Sequence, residues 1–309
     1  MIENLLLFIF SLALVVKGAT LATKYSAKLA EHFSISRYVI GFVVVAFISI
    51  LPETIISINS AIQGVPEFGL GTLLGSNIAD LSLIFALLIL LSGRGVKIES
   101  KVLKNVSLYP FFLLLPVILG LNGHFSRIDG VILIITGVLF YYLVFKNGTE
   151  ASKVFSNGDG KYKNIFLLLF AMTLLLTGAH FAVTFATTLA QTLNITPILI
   201  GMLIVSLGTT MPEFLYSLKA IKQKEDSLAI GDILGSVLAD ATIVIGILAF
   251  ISPFYFPVKI IYITGTFMVI TSLMLLRFMR SGRTITKKEG FVLLFFWIIY
   301  ALVEFIVNS

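Results

Sequence analysis

The sequence predicts an all-α polytopic membrane protein with ten transmembrane helices, arranged as two inverted five-helix repeats. Of the 309 residues, 58% are hydrophobic and only 12% are charged, and the mean hydropathy is +1.05. An ordinary soluble domain has about 25% charged residues. Apolar runs near the roughly 20 residues that cross a bilayer recur along nearly the whole chain. These observations exclude a water-soluble fold and make the lipid bilayer the expected environment.

Ten spans follow one another from the first residues to the last. The first has no basic segment before it and no clear small-residue cleavage site after it, so we expect it to be retained. The predicted spans are 4–22, 38–62, 69–92, 103–121, 128–146, 164–186, 196–219, 228–250, 257–276 and 289–307. A polar stretch separates spans five and six. We therefore predict a first repeat at 1–146, a cytoplasmic linker at 147–163 and a second, inverted repeat at 164–309.

The basic residues predict the orientation. Of the 22 Lys and Arg, 19 lie in loops that follow odd-numbered spans, and only Arg127 and Lys259 lie in loops on the opposite side. The positive-inside rule then places both termini outside, with the plasma membrane as the default location. This distribution explains the net charge of +6 without a nucleic acid, and no protein partner is implied. The absence of cysteine excludes disulfides and thiolate metal sites.

An internal repeat predicts the inverted architecture. The segments 41–86 and 201–246 align without a gap at a constant offset of 160 residues. Because each unit has five spans, an odd number, the second copy must cross the membrane in the opposite sense. The matched pairs include Pro52 with Pro212, Glu53 with Glu213, Gly75 with Gly235, Ser76 with Ser236 and Asp80 with Asp240.

Four carboxylates lie in the middle of predicted spans, and they are the candidate functional groups. Glu53, Asp80, Glu213 and Asp240 would each cost on the order of 3 kcal/mol to insert as charges. Basic residues are absent at comparable depth in these spans, so a bound cation or a proton must offset the charges. The alternative is that all four are protonated and only hold helices together. Their occurrence in two matched pairs argues against that alternative.

Further oxygen atoms lie at helical spacing from these carboxylates. Hydroxyl groups precede each of them by four residues, and two prolines free the backbone carbonyls one turn earlier. The hydroxyl residues are Ser49, Ser76, Thr209 and Ser236, and the carbonyls are those of Ile48 and Gly208. Such hard ligands suit Ca²⁺, Na⁺ or protons rather than zinc, copper or iron. Asp232 stands where the first copy has Thr72, and it is expected either near this site or at its mouth.

The motifs resemble the sodium/calcium exchanger family, of prokaryotic type, within the cation/Ca²⁺ antiporter superfamily. The second copy reads Gly208-Thr-Thr-Met-Pro-Glu213 and Gly235-Ser-Val-Leu-Ala-Asp240, and the first reads Ile48-Ser-Ile-Leu-Pro-Glu53 and Gly75-Ser-Asn-Ile-Ala-Asp80. The resemblance implies that Glu53 and Glu213 are central Ca²⁺ and Na⁺ ligands and that Asp80 and Asp240 flank them. It also implies oxygen donors at Ser49, Ser76, Thr209, Thr210 and Ser236.

The sequence departs from the family pattern at several positions. Ile48 and Ile50 replace a glycine and a hydroxyl residue, Val237 replaces an asparagine, and Asp80 occupies a position that is often asparagine. The expected function is Ca²⁺/Na⁺ antiport by alternating access at a midplane acidic site, without a cofactor, and the alternative is an H⁺-coupled or otherwise altered cation exchanger. An intramembrane protease and a passive channel are the competing classes. The protease is disfavoured because nothing supplies a separate substrate motif.

Overall fold

The computed structural model describes residues 2–30, 42, 45–99, 108–147, 161–193 and 195–308. Among these residues, eight helices are long and apolar enough to cross a membrane, by length and composition. They are Ile2–Leu21, Pro66–Leu91, Arg127–Lys146, Asn164–Leu193, Pro197–Lys222, Asp226–Ile251, Val258–Arg280 and Lys287–Val307. The protein is therefore a multi-pass, all-helical membrane protein.

The described chain contains twelve helices and four two-residue strands. The helices are α1 (Ile2–Ala30), α2 (Ala46–Ser49), α3 (Leu51–Ile62), α4 (Pro66–Leu91), α5 (Tyr109–Leu119), α6 (Arg127–Asn147), α7 (Lys161–Leu193), α8 (197–209), α9 (Met211–Lys222), α10 (Asp226–Ile251), α11 (Val258–Arg280) and α12 (Lys287–Asn308). The strands are β1 (Val96–Lys97), β2 (His124–Phe125), β3 (Phe254–Tyr255) and β4 (Thr284–Ile285).

Eight of the ten predicted spans coincide with the eight long helices, but several ends are wrong. Helices α1 and α7 continue to Ala30 and Leu193, beyond the predicted ends at 22 and 186. Both continuations are polar, which hides a helix from a search for apolar runs. The second and fourth predicted spans are not among the eight long helices. The predicted starts at 38 and 103, and linker residues 148–160, lie outside the described residues.

Two prolines interrupt the helices where the sequence predicts a break. Helix α2 ends at Ser49 and α3 begins at Leu51, with Pro52 in its first turn. The second copy repeats this, since a helical segment ends at Thr209 and α9 begins at Met211. Proline has no backbone N–H and clashes with the carbonyl one turn earlier, so a helix restarts there. The predicted interruption is confirmed in both copies.

Short π-helical segments occur inside the helices that carry the candidate site. They are Ala79–Ile84, Gly201–Val205, Asp240–Val244 and Ile261–Gly265. The first and third include Asp80 and Asp240 and occupy matching positions in the two copies. A π-helical turn widens the helix and changes the direction of the side chains, and such turns are frequent at functional sites.

Glycines bring equivalent helices into close contact. An added Cβ at Gly18 on α1 would lie 2.8 Å from the backbone nitrogen of Leu175, and one at Gly178 on α7 would lie 2.8 Å from that of Val15. The two contacts are equivalent under the internal repeat, because Gly18 corresponds to Gly178 and Val15 corresponds to Leu175 at the offset of 160 residues. The two long helices therefore pack against each other through the same surface of each copy.

The same exchange relates contacts around the buried centre. A Cβ at Gly75 on α4 would overlap the carbonyl oxygen of Met202, and one at Gly235 on α10 would overlap that of Phe42. The strands pair in the same way, β1 with β4 and β2 with β3, so that each small sheet joins one copy to the other. Helices α4 and α10 are enclosed on nearly all sides, whereas α1, α6, α7 and α12 present most of their surface outward.

An ion pair ties the end of α4 to the start of α10. Arg94 donates to Asp226 at 2.7 Å and 2.5 Å and to the carbonyl oxygen of Ile221 at 2.6 Å, and the backbone N–H of Lys97 donates to Asp226 at 2.8 Å. The hydrogen bonds that Arg94 donates to the Asp226 carboxylate raise the pKa of the Arg94 guanidinium above its ordinary value. The contact therefore holds the segment after α4, which contains Arg94 and Lys97, against the ends of α9 and α10 in the second copy.

The glycine contacts generate a stability prediction. Replacing Gly75 by alanine forces a methyl group onto the Met202 carbonyl oxygen, and we expect the protein to lose about 1–3 kcal/mol, the usual cost of overpacking. The matched control is Gly208→Ala, because the nearest atom to a Cβ there is the Leu12 Cδ2 at 3.5 Å, an ordinary contact. Thermal unfolding of the purified protein in detergent measures both. Equal unfolding temperatures for the two variants would contradict the predicted helix contact.

Candidate ion site

The four predicted carboxylates are all buried, and they come from corresponding places in the two copies. Glu53 and Glu213 lie in the first turns of α3 and α9, and Asp80 and Asp240 lie in the π-helical segments of α4 and α10. Each residue is 1% exposed. The helix restarts after Pro52 and Pro212 therefore position the glutamates, and the π turns position the aspartates.

Several of these carboxylate oxygens lack a hydrogen-bond partner. In the described part of the chain, both oxygens of Glu53, the Oδ1 atoms of Asp80 and Asp240 and the Oε2 of Glu213 have no hydrogen bond of good geometry, although the Thr209 hydroxyl lies near Glu53. Buried polar groups in proteins are nearly always paired, because an unpaired one loses the hydrogen bonds that water would supply. Oxygens left unpaired in matched places of both copies indicate groups kept for a ligand.

Electrostatic interactions join the carboxylates into one group. Asp80 interacts with Glu53, Glu213 interacts with both, and Asp240 interacts with Glu53 and Asp80. In a medium of low dielectric constant such like charges repel strongly, and they can be ionised together only beside cations. The four predicted acidic residues are therefore close enough for the charge of each to affect at least one other.

The predicted hydroxyl donors are buried beside this group, but most of them bond to their own helix. Among the described residues, the Ser76 hydroxyl lies 3.5 Å from the Asp240 Oδ2 and 3.0 Å from the Leu73 carbonyl oxygen, and the Thr209 hydroxyl lies near Glu53. Three of the hydroxyls donate to backbone carbonyl oxygens three residues earlier: Thr209 to Ser206 at 3.0 Å, Thr210 to Leu207 at 3.2 Å and Ser236 to Ile233 at 3.0 Å. A hydroxyl so bonded keeps its lone pairs for a cation.

Ser49 has a different partner, the buried Asp232. The Ser49 hydroxyl donates to the Asp232 Oδ1 at 2.9 Å, and Ser217 donates to the Oδ2 at 3.2 Å. Asp232 is fully buried and interacts electrostatically with Asp80 and Glu213. The burial of Asp232 and these contacts favour the position near the site over the position at its mouth, and that position stays a prediction.

The two predicted carbonyl donors lie in the helical turns that precede the breaks. Ile48 belongs to α2, and its side chain lies outside the described part of the structure. Gly208 belongs to the last turn of α8 and faces Leu12 of α1. Each residue precedes a proline by four positions, and the proline cannot donate a hydrogen bond to its carbonyl, so the prediction that these carbonyls are ligands stays open.

In the described part of the chain, no three or more His, Cys, Asp or Glu side chains stand close enough together to hold one metal ion. The carboxylates therefore do not form a compact acidic cage. A cation here would take one or two carboxylates at a time and complete its shell with hydroxyl and carbonyl oxygens. Ca²⁺ and Na⁺ accept such mixed oxygen shells with flexible geometry.

The sequence did not single out one further buried acid. Glu304 on α12 is fully buried, and Thr264 of the last π segment donates to its Oε2 at 3.1 Å. Tyr300, one turn earlier on α12, lies beside Glu304 and near the Thr264 hydroxyl. The sequence signal that could have identified Glu304 is its position as a single carboxylate near the end of the last apolar span. It has no counterpart in the first copy, where the offset of 160 gives Val144.

These features define a class of protein, a multi-pass membrane transporter that acts on small cations. The model of the family described as sodium/calcium exchanger protein matches residues 3–146 and 163–306, nearly the whole chain. The chain belongs to the sodium/calcium exchanger family. It is an exchanger-type membrane transporter and not an enzyme, and the prediction of the family from its motifs is confirmed.

The relatives span most of the chain. An uncharacterized membrane protein of Methanocaldococcus jannaschii, MJ0091, is 30% identical over 75% of this chain and 77% of its own length. The sodium/calcium exchanger MaX1 of Methanosarcina acetivorans is 27% identical over 98% of both chains. A solved structure of the sodium-calcium exchanger NCX_Mj superposes with a TM-score of 0.72 at 27% identity, covering 96% of this chain and 97% of its own. The fold is therefore that of a sodium-calcium exchanger.

The unpaired oxygens of Glu53 lead to a prediction about stability. In buffer without Ca²⁺ or Na⁺, we expect Glu53→Gln to stabilise the protein by about 1–3 kcal/mol, because it removes a buried charge that has no partner. We also expect the variant to lose the rise in unfolding temperature that Ca²⁺ gives the unchanged protein, which thermal unfolding with and without Ca²⁺ measures. Glu99→Gln is the control, since Glu99 is exposed. An undiminished Ca²⁺ effect in Glu53→Gln would show that Glu53 does not hold Ca²⁺.

Proposed function

We propose that the chain exchanges Ca²⁺ for Na⁺ across the membrane by alternating access at an acidic site near the midplane. The observation that carries the proposal is the set of buried carboxylate oxygens without hydrogen-bond partners in the described structure, three from the first copy and two from the second. The names of two relatives, MaX1 and NCX_Mj, describe those proteins as sodium/calcium exchangers. We infer the same ions here because the carboxylates, hydroxyls and carbonyls at the site are the ligands that both ions prefer.

The proposed architecture has ten transmembrane helices as two inverted repeats, 1–146 and 164–309, joined by a cytoplasmic linker at 147–163. The reciprocal contacts of Gly18 with Leu175 and of Gly178 with Val15 support it. So do the strand pairs, in which each copy supplies one strand to each sheet. Two copies related by an axis in the membrane plane would present the same site to both sides in turn, which is the requirement of alternating access.

One shared site explains why two ions would compete. Ca²⁺ brings two positive charges to Glu53 and Glu213, whereas several Na⁺ ions must divide the same carboxylates with Asp80, Asp240 and the hydroxyls of Ser49, Ser76, Thr209, Thr210 and Ser236. Either one Ca²⁺ or several Na⁺ would offset the repulsion among the carboxylates. Without a bound ion, the unpaired charges of the carboxylates would disfavour the change between the outward-open and inward-open states. Exchange without leakage follows, since the site would turn only when it is loaded.

We place both termini outside and the protein in the plasma membrane, with Ca²⁺ leaving the cytoplasm as Na⁺ enters. The distribution of Lys and Arg supports this orientation. The bilayer and the small cations are the proposed partners, and no cofactor or protein partner is part of the proposal.

A second candidate is an H⁺-coupled Ca²⁺ exchanger. Two observations favour it: Ile50 lacks the hydroxyl that Thr210 has at the matched position, and Ser49 donates its hydroxyl to Asp232 instead of facing the four acids. The first copy thus offers fewer oxygens to Na⁺ than the second. A proton needs only one carboxylate oxygen and would be less affected by this difference.

The decisive experiment measures ⁴⁵Ca²⁺ uptake into proteoliposomes loaded with Na⁺ and diluted into Na⁺-free medium. We expect uptake driven by the Na⁺ gradient, lost in Glu213→Gln because the variant removes a central charged ligand. Glu99→Gln changes an exposed carboxylate that is not one of the four buried acids, so this control should transport normally. Uptake driven only by a pH gradient would favour the H⁺-coupled alternative, and uptake coupled to neither gradient would contradict antiport of these ions.

The orientation can be tested directly because the chain has no cysteine. A single cysteine at Ser281, an exposed residue between α11 and β4, should react with a membrane-impermeant maleimide only from the cytoplasmic side. A cysteine at Tyr255 in β3, which is 79% exposed, should react only from the outside. Labelling of right-side-out and inverted vesicles measures both. Reversed labelling would invert the proposed orientation, and labelling of both sites from one side would contradict the proposed number of spans.

A further inference from the structure

A cleft lies beside the last two turns of α11, away from the four buried carboxylates. It has a volume of about 460 Å³, and the described residues that line it are Leu273, Leu276, Arg277, Arg280 and Ser281. The first four are spaced at i, i+3, i+4 and i+7, so they lie on one face of the helix. Ser281 directly follows the last helical residue. We call this feature the α11 cleft.

The α11 cleft is apolar at one end and cationic at the other. Leu273 is 51% exposed, and it lies about 10 Å along the helix axis from Arg280. Arg277 and Arg280 are both exposed and belong to the last turn of α11. A ligand that fills the cleft must therefore combine an apolar part with a negatively charged part.

The length of α11 places this cationic end at a membrane surface. The apolar segment Val258–Arg280 has 23 residues, which is about 35 Å at the rise of an α-helix. The hydrocarbon core of a bilayer is about 30 Å thick. The last turn of α11 therefore lies at the level of the lipid headgroups, while Leu273 lies at the level of the acyl chains. In the proposed orientation this surface belongs to the cytoplasmic leaflet.

The neighbouring chain adds further positive charge. From Arg277 to Lys288 the sequence has five basic residues and no acidic one. Strand β4 lies within this stretch and pairs with β1, which brings the exposed Lys97 beside it. Glu289 follows the stretch, but its Oε2 already accepts hydrogen bonds from the backbone N–H and the hydroxyl of Thr286, at 2.7 Å and 2.8 Å. The surroundings of the cleft therefore attract anions.

Orientation in the membrane does not account for the cleft. The positive-inside rule favours basic residues on this side, and the helix dipole favours arginine in a last turn. Neither effect requires a cavity or an apolar wall beside the arginines. In the first copy, the positions matched to Arg277 and Arg280 are Val117 and Gly120. The repeated fold is thus built without these charges, and the arginine pair needs a separate explanation.

We propose that the α11 cleft binds one anionic phospholipid. The lipid phosphate accepts hydrogen bonds from Arg277 and Arg280, whose planar guanidinium groups match the geometry of phosphate oxygens. An acyl chain packs against Leu273 and Leu276. A zwitterionic lipid carries the same phosphate, but its ammonium group would lie among the basic residues that attract an anionic headgroup. The inference goes beyond the proposed exchange function and uses the proposed orientation only to name the leaflet.

Native mass spectrometry of the purified protein, with phosphatidylglycerol added to the detergent, measures the Kd of the first bound lipid. We expect phosphatidylglycerol to bind more tightly than phosphatidylcholine. Arg277→Gln should weaken phosphatidylglycerol binding about fivefold, the loss expected when one basic residue is removed at an anionic membrane surface. The unchanged protein and the variant are measured in one sample, so that both meet the same lipid concentration.

Matched variants separate the cleft from the basic surface as a whole. Lys222 is an exposed basic residue at the end of α9, on the same proposed side, and is not among the described residues that line the cleft. Lys222→Gln should therefore leave the Kd unchanged. Leu273→Ser keeps both arginines but removes apolar wall, so it should also weaken binding. Arg277 and Leu273 are exposed, so neither replacement disturbs a packed helix face.

Inorganic phosphate and glycerol phosphate separate a lipid from a soluble anion. Neither should displace phosphatidylglycerol when added at the same concentration, because neither has an acyl chain to pack against the leucines. Displacement by either one would assign the cleft to a soluble anion and overturn the proposal.

Three further outcomes would contradict the lipid site. They are equal Kd values for phosphatidylglycerol and phosphatidylcholine, an unchanged Kd in Arg277→Gln, and an equal loss in Lys222→Gln, which would attribute the attraction to the whole basic surface. None of these measurements requires transport. Failure of the exchange function is seen separately, as the absence of Na⁺-driven ⁴⁵Ca²⁺ uptake by the unchanged protein.

Discussion

The structure depends on one constraint: acids are buried in the middle of a membrane protein without basic residues to pair with them. Glu53, Asp80, Glu213 and Asp240 are each 1% exposed and retain unpaired oxygens. A fold that exists only to be stable would bury apolar side chains there, since buried charges rarely repay their desolvation. These acids are therefore shielded from water, and several of their oxygens form no hydrogen bond within the described protein. A small cation would be a favourable partner for them.

The backbone around the acids makes this arrangement possible. Helix breaks at Pro52 and Pro212 place each glutamate in a first turn, and π-helical turns place each aspartate inside an otherwise continuous helix. Glycines such as Gly75 let the acidic helices approach the backbone of the opposite copy without a side chain between them. The repeated prolines break the helices, the repeated glycines allow the close contacts, and the repeated acids supply the charge. All of them lie in the segments 41–86 and 201–246, which align without a gap.

Much of this arrangement could be predicted from the sequence because it depends on local chemistry. Proline breaks a helix wherever it stands, and a carboxylate in an apolar span signals a site without knowledge of its neighbours. The contacts between copies could not be predicted in this way. Nothing in the sequence pairs Ser49 with Asp232, which is 183 residues away, and Glu304 gave only a weak signal because its position is not repeated. The polar ends of α1 and α7 were missed because hydropathy identifies the membrane-embedded part of a helix and not where it ends.

The departures from the internal repeat make the two copies chemically different. Two identical copies would give the same environment to an ion approaching from either side. Here the second copy has Thr210 where the first has Ile50, and Asp232 where the first has Thr72, so one side gains a negative charge while the centre loses a hydroxyl. The repeated residues are common to both directions of access and therefore cannot distinguish them. Any difference in ion affinity between the two faces must come from the unmatched residues, and in the described structure Asp232 is the unmatched acid that interacts with the repeated ones.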